Sequence, residues 1–471
     1  MRLAKTATTV FFVRIAASVL QIIGLAYFAR ELGGALLGAF VLFQAVTQML
    51  TTVTDFGIGG AVEKRLSEGT SLNVISTALV VKTGILSLLA PVVILLSGLL
   101  NTYFGSELAL YLVPVLFFDQ IGRTFLRTLR GELRVREATL LELFQRLVFV
   151  VTGIILVFLG YEIVGLIGAM LLGWIVVILQ GYDAIATDIG RPSKEAFQSV
   201  VDFAKYNYIS SVLGRKAYSW IDTLIIGLLM TQTSVAAYEI AWRITVAVTM
   251  LSQAISSTVF PQISEWDAND DTIAIERMVP DALMGALLLV IPAVFGVALL
   301  GEDILRLIFG EEFTVATLAF VILMLGKIPE SINNVVSQIL LGMDRPALVA
   351  RAVVLFIVLN VVLNIVLTTY YGLAGAATAT TLSFSIMLSL ILYDVSKLIN
   401  LQVAWLDHTI SLFAALGMAG GLLIFQMVVD IDSLVRLVGV IGIGALLYFV
   451  LLLIPKRTRK RTVELTHSVI K

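Results

Sequence analysis

Seven basic residues lie inside stretches of sequence that are otherwise apolar enough to cross a membrane. They are Arg14, Lys82, Arg146, Arg215, Lys216, Arg243 and Lys327. A charged side chain at the centre of a bilayer costs about 2.5–3.5 kcal/mol on insertion scales, so such residues usually face a bundle interior or a hydrated cavity. Acids at this depth are fewer, namely Asp222, Glu239 and Glu330. The excess of positive charge predicts a cavity that attracts an anionic ligand.

Five of these cations are candidate contacts for an anionic headgroup. A guanidinium group binds phosphate oxygens through two parallel hydrogen bonds, which suits a phosphate or diphosphate. The candidates are Arg14, Lys82, Arg215, Lys216 and Arg243, with Gln21, Asp222 and Glu239 as possible supporting residues. A structural role is the alternative for each. Arg215 would pair with Asp222, which lies seven residues further along the same helix face. The Lys82 side chain would extend to the membrane interface.

The remaining charges have local explanations. Glu239 with Arg243 and Lys327 with Glu330 have the i,i+4 and i,i+3 spacings that favour mutual neutralisation on one helix face. Arg146 is close enough to a predicted span end to reach the lipid headgroups. The uncompensated positive charge therefore rests on Arg14, Lys82, Arg215 and Lys216.

A second group of arginines follows the fourth predicted span. The group is Arg123, Arg127, Arg130 and Arg134, at positions i, i+4, i+7 and i+11. If the helix continues through them, they fall within a wedge of about 60° on one face. Such a cytosolic basic face would bind lipid phosphates, with reception of a substrate headgroup as the alternative.

Composition excludes several classes of protein. Of the 471 residues, 59% are apolar and only 14% are charged, against about 25% charged in soluble domains. The chain has no cysteine, and its two histidines, His408 and His467, are too far apart for a convincing zinc site. It has no glycine-rich phosphate loop. We therefore expect a polytopic membrane protein with no catalytic residues, metal or cofactor, and no nucleic-acid partner.

Fourteen helical spans are predicted from apolar runs of about twenty residues. They cover residues 8–29, 36–54, 72–99, 107–122, 139–160, 163–181, 206–229, 235–259, 280–300, 314–340, 348–371, 373–393, 408–429 and 433–455. The long connection after the sixth span indicates an N-terminal six-helix lobe (1–200), a C-terminal six-helix lobe (201–400), and two extra helices with a basic tail (401–471).

The distribution of basic residues orients these spans. Lysine and arginine are enriched in cytoplasmic loops of membrane proteins. With the N-terminus inside, 22 of the 32 lysines and arginines lie in interior segments or at the interior end of a span (Arg351), three in exterior loops or at the exterior end of a span (Arg436), and seven deeper within the spans. The bias predicts that both termini are cytoplasmic in a multi-pass protein of the plasma membrane.

Several short motifs are shared with one known family. They include Asp55-Phe-Gly-Ile-Gly59, Trp220-Ile-Asp-Thr-Leu-Ile-Ile-Gly-Leu-Leu229, Ala237-Tyr238, Phe260-Pro-Gln-Ile-Ser264, Ile308-Phe-Gly-Glu-Glu-Phe313, Leu341-Gly-Met-Asp-Arg-Pro346, Asn360 with Asn364, and Tyr371-Gly-Leu-Ala-Gly-Ala-Ala-Thr-Ala379. In this order, and over nearly the whole chain, they resemble the polysaccharide transporter and lipid-linked oligosaccharide flippase family. This family is a branch of the multidrug/oligosaccharidyl-lipid/polysaccharide exporter superfamily.

The resemblance implies a fold and a function. It implies two six-helix lobes around a central cavity walled by spans one, two, seven and eight, and two extra C-terminal helices. It also implies a flippase that carries a polyprenyl-(di)phosphate-linked saccharide to the outer leaflet by alternating access, with sodium or proton coupling left open. Other membrane lipids are expected partners, and the oligomeric state is open. The alternatives are a cation-coupled multidrug exporter of the same superfamily, a non-transporting membrane scaffold, and a membrane-embedded enzyme.

Overall fold

The computed structural model describes residues 2–69, 72–212, 220–402 and 404–455, with the side chains of all but 2–15 and 205–212. Within these ranges the regular structure is entirely helical. This is the all-α architecture that the long apolar runs predict, because a helix satisfies all its backbone hydrogen bonds within one segment.

The chain divides into two compact units, Met1–Ala236 and Ala237–Lys471. The first contains α1 (Arg2–Asp55), α2 (Ile58–Ser67), α3 (Val74–Leu95), α4 (Ser97–Phe104), α5 (Leu112–Gly131), α6 (Val135–Phe158), α7 (Glu162–Ala184), α8 (Lys194–Val212) and α9 (Ile221–Leu229). The helix α10 (Gln232–Val248) begins there and continues into the second unit. The three-part division drawn at residues 200 and 400 stays a prediction.

The second unit holds the remaining helices. They are α11 (Met250–Ala268), α12 (Thr272–Leu287), α13 (Val290–Ile304), α14 (Thr317–Gly342), α15 (Pro346–Val395), α16 (Trp405–Gln426) and α17 (Leu434–Leu453). Short helical turns cover Ala109–Tyr111, Leu305–Phe309 and Glu311–Ala316. Helices α16 and α17, the two extra C-terminal spans, share an apolar core with α13. The Tyr448 hydroxyl of α17 donates to the Leu288 carbonyl at 3.0 Å.

The helices account for the predicted number of spans. Within the described residues, ten helical segments are long and apolar enough to cross a membrane, and the bent pair α10–α11, with a 46° bend, makes eleven. The helices α1 and α15, of 54 and 50 residues, are each long enough to cross twice. The predicted span 206–229 includes residues outside the described ranges. The count is consistent with fourteen.

Two glycines divide the longest helices where the sequence predicts span boundaries. Gly33 in α1 has φ 73° and ψ 170°, and Gly372 in α15 has φ 59° and ψ −139°. A positive φ is accessible to glycine at little steric cost, so the chain reverses here without a long loop. Across the second kink, the Asn360 amide donates to Thr380 Oγ1 at 3.0 Å. This is the helix-to-helix bond expected of a polar residue in a span.

A third glycine allows a close backbone approach within the first unit. A Cβ atom at Gly38 in α1 would lie 1.8 Å from the Gln232 carbonyl oxygen at the start of α10. The obstacle is backbone, which cannot rotate away as a flexible side chain can. Gly38 therefore sets the distance between these two helices.

We expect Gly38→Ala to destabilise the protein by about 1–3 kcal/mol, the usual penalty of overpacking. The matched control is Gly84→Ala in α3, because a Cβ there meets no atom within 4 Å. Thermal unfolding in detergent should show a clear fall in Tm for Gly38→Ala, and no fall for the control. Equal melting temperatures would contradict the close approach.

Candidate functional site

Three of the predicted headgroup contacts lie outside the described part of the structure. These are Arg215, Lys216 and the side chain of Arg14. Their roles stay predictions. Asp222, the predicted partner of Arg215, is buried in the first turn of α9.

Lys82 lies in a buried ion pair. Its side chain is 3% exposed, and its Nζ is 2.6 Å from Asp55 Oδ1 and 3.2 Å from Thr124 Oγ1. It therefore joins α3 to the end of α1 and to α5, and it does not extend to the membrane interface. The sequence predicts an uncompensated cation at Lys82, and this prediction is wrong because Asp55 neutralises the charge. The pair joins two helices, α1 and α3, so the spacing of residues along one helix could not predict it.

Asp55 is fixed in place by the turn that follows it. Phe56 has φ 45° and Gly57 has φ 79°, and this sharp turn starts α2. The Asp55 Oδ2 atom then accepts a hydrogen bond from the Gly59 amide at 3.3 Å. The Asp55-Phe-Gly-Ile-Gly59 motif thus presents a carboxylate to Lys82 at the end of a span.

A second buried ion pair was missed by the sequence analysis. Asp119 in α5 is fully buried, and its Oδ2 accepts from Arg123 Nε at 2.7 Å and from Thr51 Oγ1 at 3.0 Å. Arg123 Nη2 donates to Gln48 Oε1 at 3.0 Å, and its guanidinium carbon lies 5.3 Å from the centre of the Trp174 ring. The signal was the i,i+4 spacing of Asp119 and Arg123, at the inner end of the predicted fourth span.

Hydroxyl and amide groups surround the two pairs. The Gln120 amide donates to the Thr51 carbonyl and to Thr54 Oγ1, both at 2.8 Å. Two buried acceptors, Asp119 Oδ1 and Gln120 Oε1, have no partner among the described residues. Together these residues form a polar layer through α1, α3 and α5, which we call the N-unit polar layer: Gln48, Thr51, Thr54, Asp55, Lys82, Asp119, Gln120, Arg123 and Thr124. Its four charges sum to zero.

The predicted cytosolic basic face differs in two respects from expectation. Helix α5 ends at Gly131 and Leu133 has φ 62°, so Arg134 does not share the face of the other three arginines. Each arginine also has a carboxylate partner. The pairs are Arg123–Asp119, Arg127–Glu63, Arg130–Glu142, and Arg134 with Glu132 and Glu137. The face is therefore largely neutralised.

Glu132 connects two loops at this end of the first unit. Its carboxylate accepts from the Ala186 amide at 2.9 Å, and from the Thr187 amide and hydroxyl at 2.8 Å. Burial alone would raise the pKa of Glu132, but these donors and Arg134 outweigh it and lower the pKa. The carboxylate is thereby held ionised, and it fixes the segment that leads into α8.

The charged pairs of the second unit form as their spacing predicts. Arg243 Nε is 2.7 Å from Glu239 Oε1, and Lys327 Nζ is 2.7 Å from Glu330 Oε2. Lys327 is also 3.8 Å from the centre of the Trp242 ring. In the first unit, Arg146 donates to Gln21 Oε1 at 3.3 Å. Each described cation within a predicted span thus has a polar partner.

The structure offers no evident metal site. In the described ranges, no group of three or more Asp, Glu or His side chains could hold a metal ion. Coupling to sodium or protons stays open.

Sequence comparison identifies the family. Residues 3–266 match the family described as "Polysaccharide biosynthesis protein", and residues 209–366 match the family MatE. The chain is 35% identical to the "Probable low-salt glycan biosynthesis flippase Agl15" of Haloferax volcanii over 461 residues, 98% of each chain. It is 30% identical to the "Probable flippase AglR" of the same organism over 372 residues, 76% of each chain.

Solved structures show the same fold. The lipid II flippase MurJ in an inward closed conformation covers 96% of this chain and 98% of its own, with a TM-score of 0.81 at 16% identity. An inward-facing multidrug MATE transporter covers 82% of this chain and 98% of its own, with a TM-score of 0.65 at 18% identity.

The chain belongs to the polysaccharide biosynthesis protein family, within the multidrug/oligosaccharidyl-lipid/polysaccharide exporter superfamily. It is a membrane transport protein.

The Lys82–Asp55 pair leads to a prediction about stability. Removing one partner of a buried ion pair costs about 3–5 kcal/mol, because the other charge is left unpaired, whereas removing both costs much less. Lys82→Met should therefore lower the Tm strongly, and Lys82→Met with Asp55→Asn should recover most of the loss. A double variant no more stable than Lys82→Met would contradict the pairing.

Proposed function

We propose that the protein is a flippase that moves a polyprenyl-(di)phosphate-linked saccharide from the inner to the outer leaflet of the plasma membrane. The saccharide would serve the assembly of a cell-surface glycan or glycoprotein. The observation that carries the proposal is the 35% identity, over 98% of both chains, to a probable glycan biosynthesis flippase. Both termini are cytoplasmic in this proposal, as the distribution of lysine and arginine favours.

The mechanism would be alternating access without covalent chemistry. A hydroxylated headgroup cannot cross hydrocarbon unaided, because each polar group without a partner costs several kcal/mol there. A path lined by hydrogen-bonding groups removes this penalty while the lipid tail stays in the bilayer. Gln48, Asp55 and Arg123 of the N-unit polar layer, whose side chains are partly exposed, would supply such groups. The other members of the layer are buried and support them.

The phosphate charge would fall to predicted headgroup contacts other than Lys82 and Arg243. Lys82 and Arg243 are each paired with a carboxylate, which lowers their attraction for an anion. Arg14, Arg215 and Lys216 are therefore the stronger candidates among the predicted headgroup contacts. Asp222 would offset at most one of these charges.

A multidrug exporter is the second candidate, because residues 209–366 match the MatE family. Such a transporter would need acids able to bind a cationic drug or a coupling ion. Asp55 and Asp119 are the acids of the N-unit polar layer, and each is paired with a cation. The pairing favours the flippase.

Deletion of the gene tests the proposal. A lipid-linked saccharide should accumulate on the cytoplasmic face of the membrane, and the corresponding surface glycan should decrease. Reintroducing the unaltered gene should reverse both effects. A deletion strain with unchanged lipid-linked saccharides, and a new sensitivity to cationic drugs, would instead support the exporter.

Variants in the same strain test the phosphate contacts. Arg14→Ala, and the double variant Arg215→Ala/Lys216→Ala, should restore export about tenfold less well, since losing a charge-assisted hydrogen bond forfeits about 1.5–3 kcal/mol. Arg127→Ala, which removes a partly exposed cation already paired with Glu63, is the control and should restore export fully. Protein amounts in the membrane are measured alongside. Full export by both test variants at normal protein levels would remove these residues from the site.

A further inference from the structure

Arg123 differs from the other arginines of the predicted basic face in how it is held. Arg127, Arg130 and Arg134 pair with glutamates at or near the helix ends. The Arg123 guanidinium is instead fixed on three sides, by Asp119, by Gln48 of α1, and by the Trp174 ring of α7. Its anchor, Asp119, is fully buried. Three different helices therefore determine where this one group points.

The guanidinium is not fully used by these contacts. Nε and Nη2 donate to Asp119 and Gln48, whereas Nη1 has no partner in the part of the chain that the structure describes. The side chain keeps 29% of its surface exposed. A rigid group with three N–H donors left over is preorganised to bind an acceptor, because little side-chain freedom remains to be lost on binding.

The position of Arg123 along α5 indicates what its exposed surface can face. Arg123 directly follows the predicted fourth span, and α5 continues to Gly131, about 12 Å further along the helix axis. The adjacent Thr124 contacts Lys82, whose partner Asp55 ends a span, so Arg123 lies at the inner end of the spans. N–H donors are costly to place against lipid tails, so the exposed donors are expected to face a hydrated path.

The surrounding charge indicates the kind of acceptor. Arg123 is balanced by Asp119, and the neighbouring Lys82 by Asp55, so the N-unit polar layer has no net charge. A phosphate gains little from a neutral layer, since its binding depends on excess positive charge. A sugar hydroxyl or ring oxygen needs only a positioned N–H donor.

We propose that Arg123 binds the saccharide portion of the transported lipid, and that Asp119, Gln48 and Trp174 position it. The inference rests on the proposed function and divides recognition between two sets of residues. Arg123 contacts the neutral sugar, and Arg14, Arg215 and Lys216 contact the phosphate. Arg123 is thus a determinant of sugar recognition, distinct from the lipid-binding face predicted from its spacing.

The test uses two ligands, one with the sugar and one without it. One is the lipid-linked saccharide extracted from the deletion strain, and the other is the polyprenyl phosphate left after mild acid removes its saccharide. Because removing the sugar also frees a phosphate oxygen and adds negative charge, each variant is compared with the unaltered protein on the same ligand. Affinities of the purified full-length protein are measured in nanodiscs. The variant is Arg123→Lys, which keeps the charge but loses the planar arrangement of donors. The control is Arg127→Lys, the same change one turn along α5.

We expect Arg123→Lys to weaken binding of the glycosylated lipid about tenfold, and to change binding of the unglycosylated lipid less than twofold. Asp119→Asn should shift the same ratio in the same direction, because the guanidinium loses its anchor. The Arg127→Lys ratio should equal that of the unaltered protein. Thermal unfolding is measured for each variant. A general loss of folded protein lowers the apparent affinity for both ligands equally, so the ratio of the two affinities remains informative in a variant of reduced Tm.

Two results would overturn the inference. Equal weakening of both ligands would make Arg123 a phosphate contact or a structural residue, and unchanged affinity for both would remove it from the binding path. If the unaltered protein binds neither ligand, or no lipid accumulates in the deletion strain, the proposed function itself fails, and this inference with it. Normal binding by the unaltered protein with an unchanged Arg123→Lys ratio rejects only the role of Arg123.

Discussion

The high free energy of a lone charge in hydrocarbon is the constraint on which this structure depends. Four described cations within the spans or at their ends meet it by pairing with a carboxylate: Lys82 with Asp55, Arg123 with Asp119, Arg243 with Glu239, and Lys327 with Glu330. A paired charge still offers hydrogen bonds but has little net field. The spans can therefore carry polar groups at depth without becoming strongly attractive to ions of either sign.

The pairs also differ in what they hold together. In the first unit, the pair of Lys82 and Asp55 connects α3 to α1, and Thr124 extends the connection to α5. In the second unit the pairs Arg243–Glu239 and Lys327–Glu330 each lie within one helix. Lys327 also contacts the Trp242 ring of α10, and Arg351 pairs with Asp394 across the Gly372 kink of α15. Each unit thus has its own set of polar cross-links, which would favour its moving as one body during transport.

Much of this architecture could be predicted from sequence, because it depends on local patterns. Apolar runs gave the spans, the kinks at Gly33 and Gly372 fall between predicted spans, and the i,i+4 spacing gave the Arg243–Glu239 pair. The pairing of Lys82 with Asp55 could not be predicted, because it depends on how α1 and α3 are aligned. The end of α5 at Gly131 was missed for a related reason: the periodicity of the arginines continues past it, and only the Leu133 turn breaks the helix.

Transport by the purified protein in liposomes tests the central claim most directly. The vesicles contain either a polyprenyl-phosphate saccharide or a quaternary ammonium dye, and movement of each across the bilayer is followed with and without protein. A neutral polar path, with Arg14, Arg215 and Lys216 as the proposed phosphate contacts, predicts protein-dependent movement of the saccharide lipid and little movement of the dye. Saturable export of the dye driven by a proton or sodium gradient, with no movement of the saccharide lipid, would contradict the account.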